Sequence, residues 1–212
     1  MRKNTIQQSG VVAVIRGANP ETIIPIARAL KEGGVTAMEI TMENPKAIKV
    51  IERLNGEFHD EVLVGAGTVL DPESARTAIM AGAKFIFSPT INPETIRMAK
   101  RYGVISVPGA MTPTEILAAY EAGADLVKVF PANVLGPDYL KAVAGPLPHI
   151  PLMPTGGIGL DNAEAFMRAG AAAVGAGSTL VDGRMEADAQ SLIQLTDRAR
   201  LFYEIVQGFQ VR

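Results

Sequence analysis

Eight short, β-branched apolar runs recur along the chain, each ending in Gly, Pro, Thr or Ser and each followed by a longer stretch with helical spacing. They occupy residues 11–16, 37–41, 62–68, 85–89, 104–108, 126–131, 151–155 and 173–178. The runs lack the apolar–polar alternation of half-exposed strands and read as buried on both faces, as parallel strands covered by helices are. Dividing 212 residues among eight such units allots about 26 to each, which leaves no room for a second domain. The expected architecture is therefore α/β: a single-domain (β/α)8 TIM barrel spanning 1–212, with a doubly wound open sheet as the runner-up. No Gly-x-Gly-x-x-Gly follows the first run, so the dinucleotide-binding form of that open sheet has no support.

Helix starts are written at Asn19-Pro-Glu, Asp71-Pro-Glu, Asn92-Pro-Glu, Thr112-Pro-Thr-Glu and Asp161-Asn. Proline suits the first turn, and a short polar side chain can accept from its free N–H groups. Helix ends are written at Gly33-Gly34, Gly82, Gly103, Gly123 and Gly170, as left-handed caps. Pro25 lies inside the first helical pattern and implies a kinked or late-starting helix. Leu192, Leu195, Ala199, Phe202 and Val206 give the last helix one apolar face.

Composition removes several chemistries. With no Cys there are no thiolate nucleophiles, disulfides or cysteine-bound metals. The two histidines, His59 and His149, both precede strands, at the end of a barrel opposite its site, and read as loop residues. A histidine metal centre is thereby disfavoured, and a carboxylate-bound magnesium stays open. The net charge of −2 offers no long-range attraction to nucleic acid or an anionic membrane. A polar N-terminus and the lack of any run near 20 apolar residues in length point to a soluble, cytoplasmic protein.

Charged residues inside strands are the informative ones, because barrel sites lie at the strands' C-terminal ends. Lys128 is flanked by valines in the sixth run, and a period of two sends Val127 and Val129 to one face and Lys128, with Leu126 and Phe130, to the other. If the valines pack on helices, Lys128 points inward, where burial lowers its pKa and frees an amine to attack a carbonyl. A lysine paired to a buried carboxylate is the competing account. Glu39, sharing parity with Thr41 in the second run, would supply charge compensation and a proton shuttle, or else form a purely structural pair with Lys128. Arg16 closes the first run and suits either a bidentate carboxylate clamp or a rim salt bridge. Thr68 offers a hydroxyl beyond Gly65 and Gly67, glycines that either admit a ligand or shape a turn. Pro154-Thr-Gly-Gly-Ile158 and Gly175-Ala-Gly-Ser178 end the last two runs, where barrels bind phosphate through backbone N–H groups; tight turns alone are the alternative.

Glu39-Ile-Thr, Gly65-Ala-Gly-Thr-Val69, Ser88-Pro89, Pro108-Gly-Ala-Met-Thr-Pro113, Lys128-Val-Phe-Pro131, Ala144-Gly-Pro146 and Pro154-Thr-Gly-Gly-Ile158 follow one another in a distinctive order and spacing. In this the chain resembles the 2-keto-3-deoxy-6-phosphogluconate / 4-hydroxy-2-oxoglutarate aldolase family, from about residue 10 to 184. The resemblance implies a metal-independent, cofactor-free class I aldolase, a carbon–carbon lyase of Entner–Doudoroff carbohydrate metabolism, and a homotrimer. It implies Lys128 as the Schiff-base lysine and Glu39 as the general acid/base. It further implies Thr68 against the pyruvyl unit, Pro89 and Phe130 shaping its pocket, and Gly156, Gly157, Gly177 and Ser178 holding phosphate. The implied reaction cleaves 2-keto-3-deoxy-6-phosphogluconate to pyruvate and glyceraldehyde 3-phosphate, and 4-hydroxy-2-oxoglutarate to pyruvate and glyoxylate.

One position departs from the family pattern. Many members carry an arginine for the substrate carboxylate shortly after the strand that bears the glutamate, whereas this chain reads Glu39-Ile-Thr-Met-Glu43. Arg16 is the expected substitute. Competing readings are an aldolase for an epimeric or non-phosphorylated 2-keto-3-deoxy acid, another phosphate-binding barrel enzyme, or a non-catalytic sugar-phosphate-binding barrel.

Overall fold

The structure, a computed structural model, describes the backbone of residues 3–210 and the side chains of residues 6–209. The expected span of 1–212 runs past the described residues at both ends. Among the described residues there are nine parallel strand segments, separated by helices except between the fifth and the sixth. They are β1 (Val11–Ile15), β2 (Ala37–Thr41), β3 (Leu63–Gly67), β4 (Phe85–Phe87), β5 (Ile105–Val107), β6 (Gly109–Ala110), β7 (Val127–Val129), β8 (Leu152–Pro154) and β9 (Val174–Ala176). The helices are α1 (Lys3–Ser9), α2 (Ile23–Glu32), α3 (Ala47–Phe58), α4 (Pro72–Met80), α5 (Pro93–Arg101), α6 (Pro113–Glu121), α7 (Ala132–Ala144), α8 (Ala163–Arg168) and α9 (Ala189–Gln210).

All eight apolar runs contain strand, and every ladder is parallel. The hydrogen bonding nevertheless divides into a six-stranded sheet, β5-β4-β3-β2-β1-β9, and a three-stranded one, β6-β7-β8. This differs from the single eight-stranded cylinder expected from the pattern. Proline is the physical reason, because it cannot donate to a ladder. Pro108 ends β5, which pairs with β4, and the chain resumes as β6, which pairs Gly109 with Lys128 of β7. At the other junction Pro154 closes β8, and an isolated bridge joins Thr155 to Gly175 of β9.

Two apolar layers follow from the strand parity. Val11, Ala13, Ile15, Met38, Ile40, Val64, Ala66, Ile86, Val127, Val129, Leu152 and Val174 pack outward under the helices. Val12, Ala37, Leu63, Phe85, Phe87, Ile105, Val107, Leu126, Met153 and Ala173 fill a second cluster on the inner face. Ile6 of α1, wholly buried, belongs to that inner cluster. A helix at residues 3–9 has no counterpart in the sequence reading, where the polar N-terminus hid a single inward-facing apolar residue.

Three of the five written helix starts are capped by their side chains, while α2 begins behind Thr22 and α8 behind Asn162 without a side-chain cap. Asp71 accepts from the Ser74 N–H, Asn92 from those of Glu94 and Thr95, and Thr112 with Glu115 forms a reciprocal capping box. Pro25 falls in the first turn of α2, which starts late, at Ile23, as that proline implied. Gly33 and Gly34 do more than end α2: a Cβ on either would run into Ala199 or the Tyr203 ring of α9. Those glycines let α9 lie close against α2, with Leu195, Ala199, Phe202 and Val206 buried beneath it.

Candidate active site

Strand parity places two ionisable side chains in the interior. Lys128 of β7 is 4% exposed and Glu39 of β2 is 1% exposed. The flanking Val127 and Val129 sit in the outer layer and Leu126 in the inner one, so Lys128 does point inward, on the side expected. Its Nζ lies 4.8 Å from the Phe130 ring centre and 5.8 Å from that of Phe87. Among the described residues no hydrogen bond or ion pair holds this amine. The alternative of a lysine locked to a carboxylate in a structural pair therefore finds no contact to support it.

Glu39 stands level with Val14 of β1 and Gly65 of β3. Gly67, one inward position further along β3, leaves the space its carboxyl occupies: a Cβ there would overlap Glu39. Gly65 in turn makes room for the Phe85 ring. The two glycines are thus required by side chains of the neighbouring strands, a third role beside the two weighed from sequence. Oε2 of Glu39 is buried without a hydrogen-bond partner among the described residues, a condition native interiors reserve for few groups.

Burial shifts the two groups in opposite senses. It pushes the Lys128 amine below its ordinary 10.5; the Glu39 charge opposes this and the Arg16 charge adds to it. It pushes the Glu39 carboxyl above its ordinary 4.5, against the pull of Lys128 and Arg16, with Glu43 adding to the rise. The pair can therefore present a neutral amine beside a protonated acid closer to neutrality than either group would in water.

A cavity of about 200 Å³ opens above Lys128, lined by Val14, Arg16, Phe130, Thr155, Gly156, Gly157, Gly177, Ser178 and Thr179. It unites Lys128, Arg16, Phe130 and all four residues expected at a phosphate. Glu39 does not line it and is buried deeper. Thr68 and Pro89, at the ends of β3 and beyond β4, are half-buried and also lie off its walls. Thr68 adopts φ of +56°, a left-handed conformation that is costly for a β-branched residue. Arg16 is on the wall, but its Nη1 donates to Glu43 Oε1 at 3.2 Å. Of the two readings of Arg16 the rim salt bridge is present, and it stands on the cavity wall.

The glycine loop after β8 is braced by Asn162, read from sequence only as part of a helix start, and by Asn133, which had no role there. Asn162 donates to the Gly157 carbonyl at 2.9 Å and accepts from the Gly159 N–H at 3.0 Å, while Asn133 packs where a Cβ on Gly157 would stand. Gly156 takes φ of +96° and Gly157 of +70°, so a side chain at either would strain the loop. Among the described residues nothing accepts from the N–H groups of Gly156, Gly157 or Ser178. Thr155, also missed, is 5% exposed with its hydroxyl unpaired. Its signal was available, two residues beyond the inward Met153 on the same parity.

His59 and His149 line no part of this cavity; His149 stands edge-on to Tyr120 at 5.3 Å. Among the described residues no three His, Cys, Asp or Glu side chains converge as metal ligands, and no helix is long and apolar enough to cross a membrane.

The sequence profile of the KDPG and KHG aldolases, the 2-keto-3-deoxy-6-phosphogluconate and 4-hydroxy-2-oxoglutarate aldolases, matches residues 3–195. The chain belongs to this family. It is 36% identical over 171 residues to the 2-dehydro-3-deoxy-6-phosphogalactonate aldolase of Escherichia coli strain K12, spanning 80% of this chain and 83% of that one. It is 39% identical over 162 residues to a 2-dehydro-3-deoxy-phosphogluconate aldolase of Pseudomonas aeruginosa, spanning 76% and 73% of the two chains. Among solved structures, the KDPG aldolase of Legionella pneumophila matches with a TM-score of 0.80 and 30% identity, over 99% of this chain and 98% of that one. That relative was captured at low pH with pyruvate as a covalent carbinolamine. KDPG aldolase relatives are thus similar to this chain along most of their length, and their parallel α/β fold is the one seen here.

Proposed function

We propose that the chain is a class I aldolase that cleaves a 2-keto-3-deoxy-6-phospho sugar acid to pyruvate and glyceraldehyde 3-phosphate through an imine on Lys128. The observation that carries this reading is a buried amine, 4% exposed and without a hydrogen-bond or ion-pair partner among the described residues, in a cavity also lined by Gly156, Gly157 and Gly177. A neutral Lys128 adds to the C2 ketone to form a carbinolamine, the species named in the Legionella relative. Glu39 gives a proton to the departing hydroxyl, and water leaves as the protonated imine forms. The C4 hydroxyl then loses its proton to the Glu39 carboxylate, and the C3–C4 electron pair moves into the imine. The aldehyde departs and an enamine remains. Protonation at C3 and hydrolysis of the imine release pyruvate and restore the amine. 4-Hydroxy-2-oxoglutarate would give glyoxylate by the same steps.

In this reading Arg16 receives the carboxylate, while Thr68, Pro89 and Phe130 border the pyruvyl unit. Gly156, Gly157, Gly177 and Ser178 receive the phosphate. The two sheets form the arcs of one closed (β/α)8 barrel and one domain, supported by the Thr155–Gly175 bridge and by the unbroken passage from β5 through Pro108 to β6. The reaction uses no metal.

The test is incubation with pyruvate and borohydride, followed by weighing and peptide mapping. The expected result is a pyruvyl adduct on Lys128 that still forms after EDTA treatment. No adduct at saturating pyruvate, with the fold intact, overturns the proposal; an adduct lost with EDTA overturns its metal independence. The galactonate relative favours a second substrate. Pyruvate release from the 6-phosphogluconate-derived and 6-phosphogalactonate-derived acids, measured side by side, decides which C4 configuration is accepted.

A further inference from the structure

Arg16 follows β1 directly and Glu43 lies two residues beyond β2. The two strands are adjacent and in parallel register, Ile15 opposite Ile40, so their ends deliver both side chains to one point of the rim. There the guanidinium contacts Glu43 through a single bond of 3.2 Å, with 59% and 45% of the two side chains exposed. Among the described residues Arg16 is also the one cation besides Lys128 on the cavity wall. An incoming 2-keto acid therefore meets a guanidinium already facing a carboxylate of the protein's own.

We propose that Glu43 sets the affinity for the carboxylate end of the substrate, by holding Arg16 in an internal ion pair that the substrate carboxylate must loosen. Glu43 is thus a positioning residue acting through Arg16 and touching no reacting atom. The inference rests on the reading of Arg16 as the carboxylate's receiver. A bidentate guanidinium–carboxylate contact is stronger and more directional than the single bond seen here, so substrate can displace Glu43. The exposure of the pair keeps the opposing interaction modest.

The experiment measures the pyruvate concentration giving half-maximal borohydride trapping on Lys128 in the wild type, Glu43→Gln, Arg16→Ala and the double variant. Methyl pyruvate, a ketone without the charge, serves as the parallel probe. Glu43→Gln is expected to lower the half-saturating pyruvate about two- to five-fold, the range an exposed ion pair carries. It leaves methyl pyruvate unmoved, and its effect vanishes when Arg16 is already alanine. An unchanged or raised value in Glu43→Gln overturns the inference. So does an equal gain for the ester, which would place the effect on Lys128 chemistry, or an equal gain without Arg16, which would make Glu43 a direct repellent. A wild type that traps no pyruvate at all overturns the aldolase reading and this inference together, whereas trapping that is indifferent to Glu43 overturns this inference alone.

Discussion

At Lys128 and Glu39 one cause acts on two protonation equilibria in opposite directions, since burial disfavours charge on either group. Arg16 is the lever on this balance that a point mutation can reach. Its charge helps to depress the lysine, so removing it raises the Lys128 value, and less neutral amine is present at a given pH. Arg16→Ala is therefore expected to move the acid limb of the trapping profile toward higher pH and to raise the KM for pyruvate-containing substrates. A limb that stays put would show that the guanidinium charge does not reach the amine, and an unchanged KM would assign the carboxylate to other donors. Gly67 offers a second test, because a methyl there enters the space of the Glu39 carboxyl. Gly67→Ala is expected to displace Glu39 and lower kcat by about 10²- to 10⁴-fold, the range of a lost proton-transfer group, with the circular dichroism spectrum retained. The inward aim of Lys128 was legible from its flanking valines, because period two leaves only two faces. The partner of Gly67 was not, because it belongs to another strand.

Among the elements, the helix starts were the most legible, since capping is a local reaction between a side chain and N–H groups two or three residues on. Asp71, Asn92 and Thr112 all cap as read. Element α1 was illegible for the opposite reason: among the described residues Ile6 is its one side chain in the inner cluster, and most of the strand residues gathered there lie far along the chain. Ile6→Ala removes a wholly buried side chain from that cluster and is expected to cost about 2–5 kcal/mol in urea unfolding. A loss below about 0.5 kcal/mol would mean that α1 is held by something else. The end of the fifth run at Pro108 was visible in the residue itself, yet the resumption of the chain as β6 in the other sheet depends on which neighbour each segment meets.

For the whole molecule, a net charge of −2 gives no general attraction for a phosphorylated acid. In the proposed reading, recognition falls to one cavity, where Arg16, Lys128 and the glycines of the last two strand ends would act over short distances. Family membership leads to the expectation of a homotrimer, so light scattering in solution should return three times the 22.4 kDa chain mass. A monomer at micromolar concentration that retains full trapping of pyruvate would remove oligomerisation from the account of this site.

The sequence by itself determined the parallel alternation of strand and helix, the helix starts, and the inward placement of one lysine and one glutamate. Each follows from periodicity or from contacts within a few residues, which a linear string records. Only the tertiary structure decided that Gly67 houses Glu39, that Asn133 and Asn162 brace the glycine loop after β8, that Arg16 rests on Glu43, and that Ile6 joins the inner cluster. Those contacts join residues distant in the chain, and their existence depends on strand register and side-chain volume, which are fixed when the sheets assemble around a shared interior.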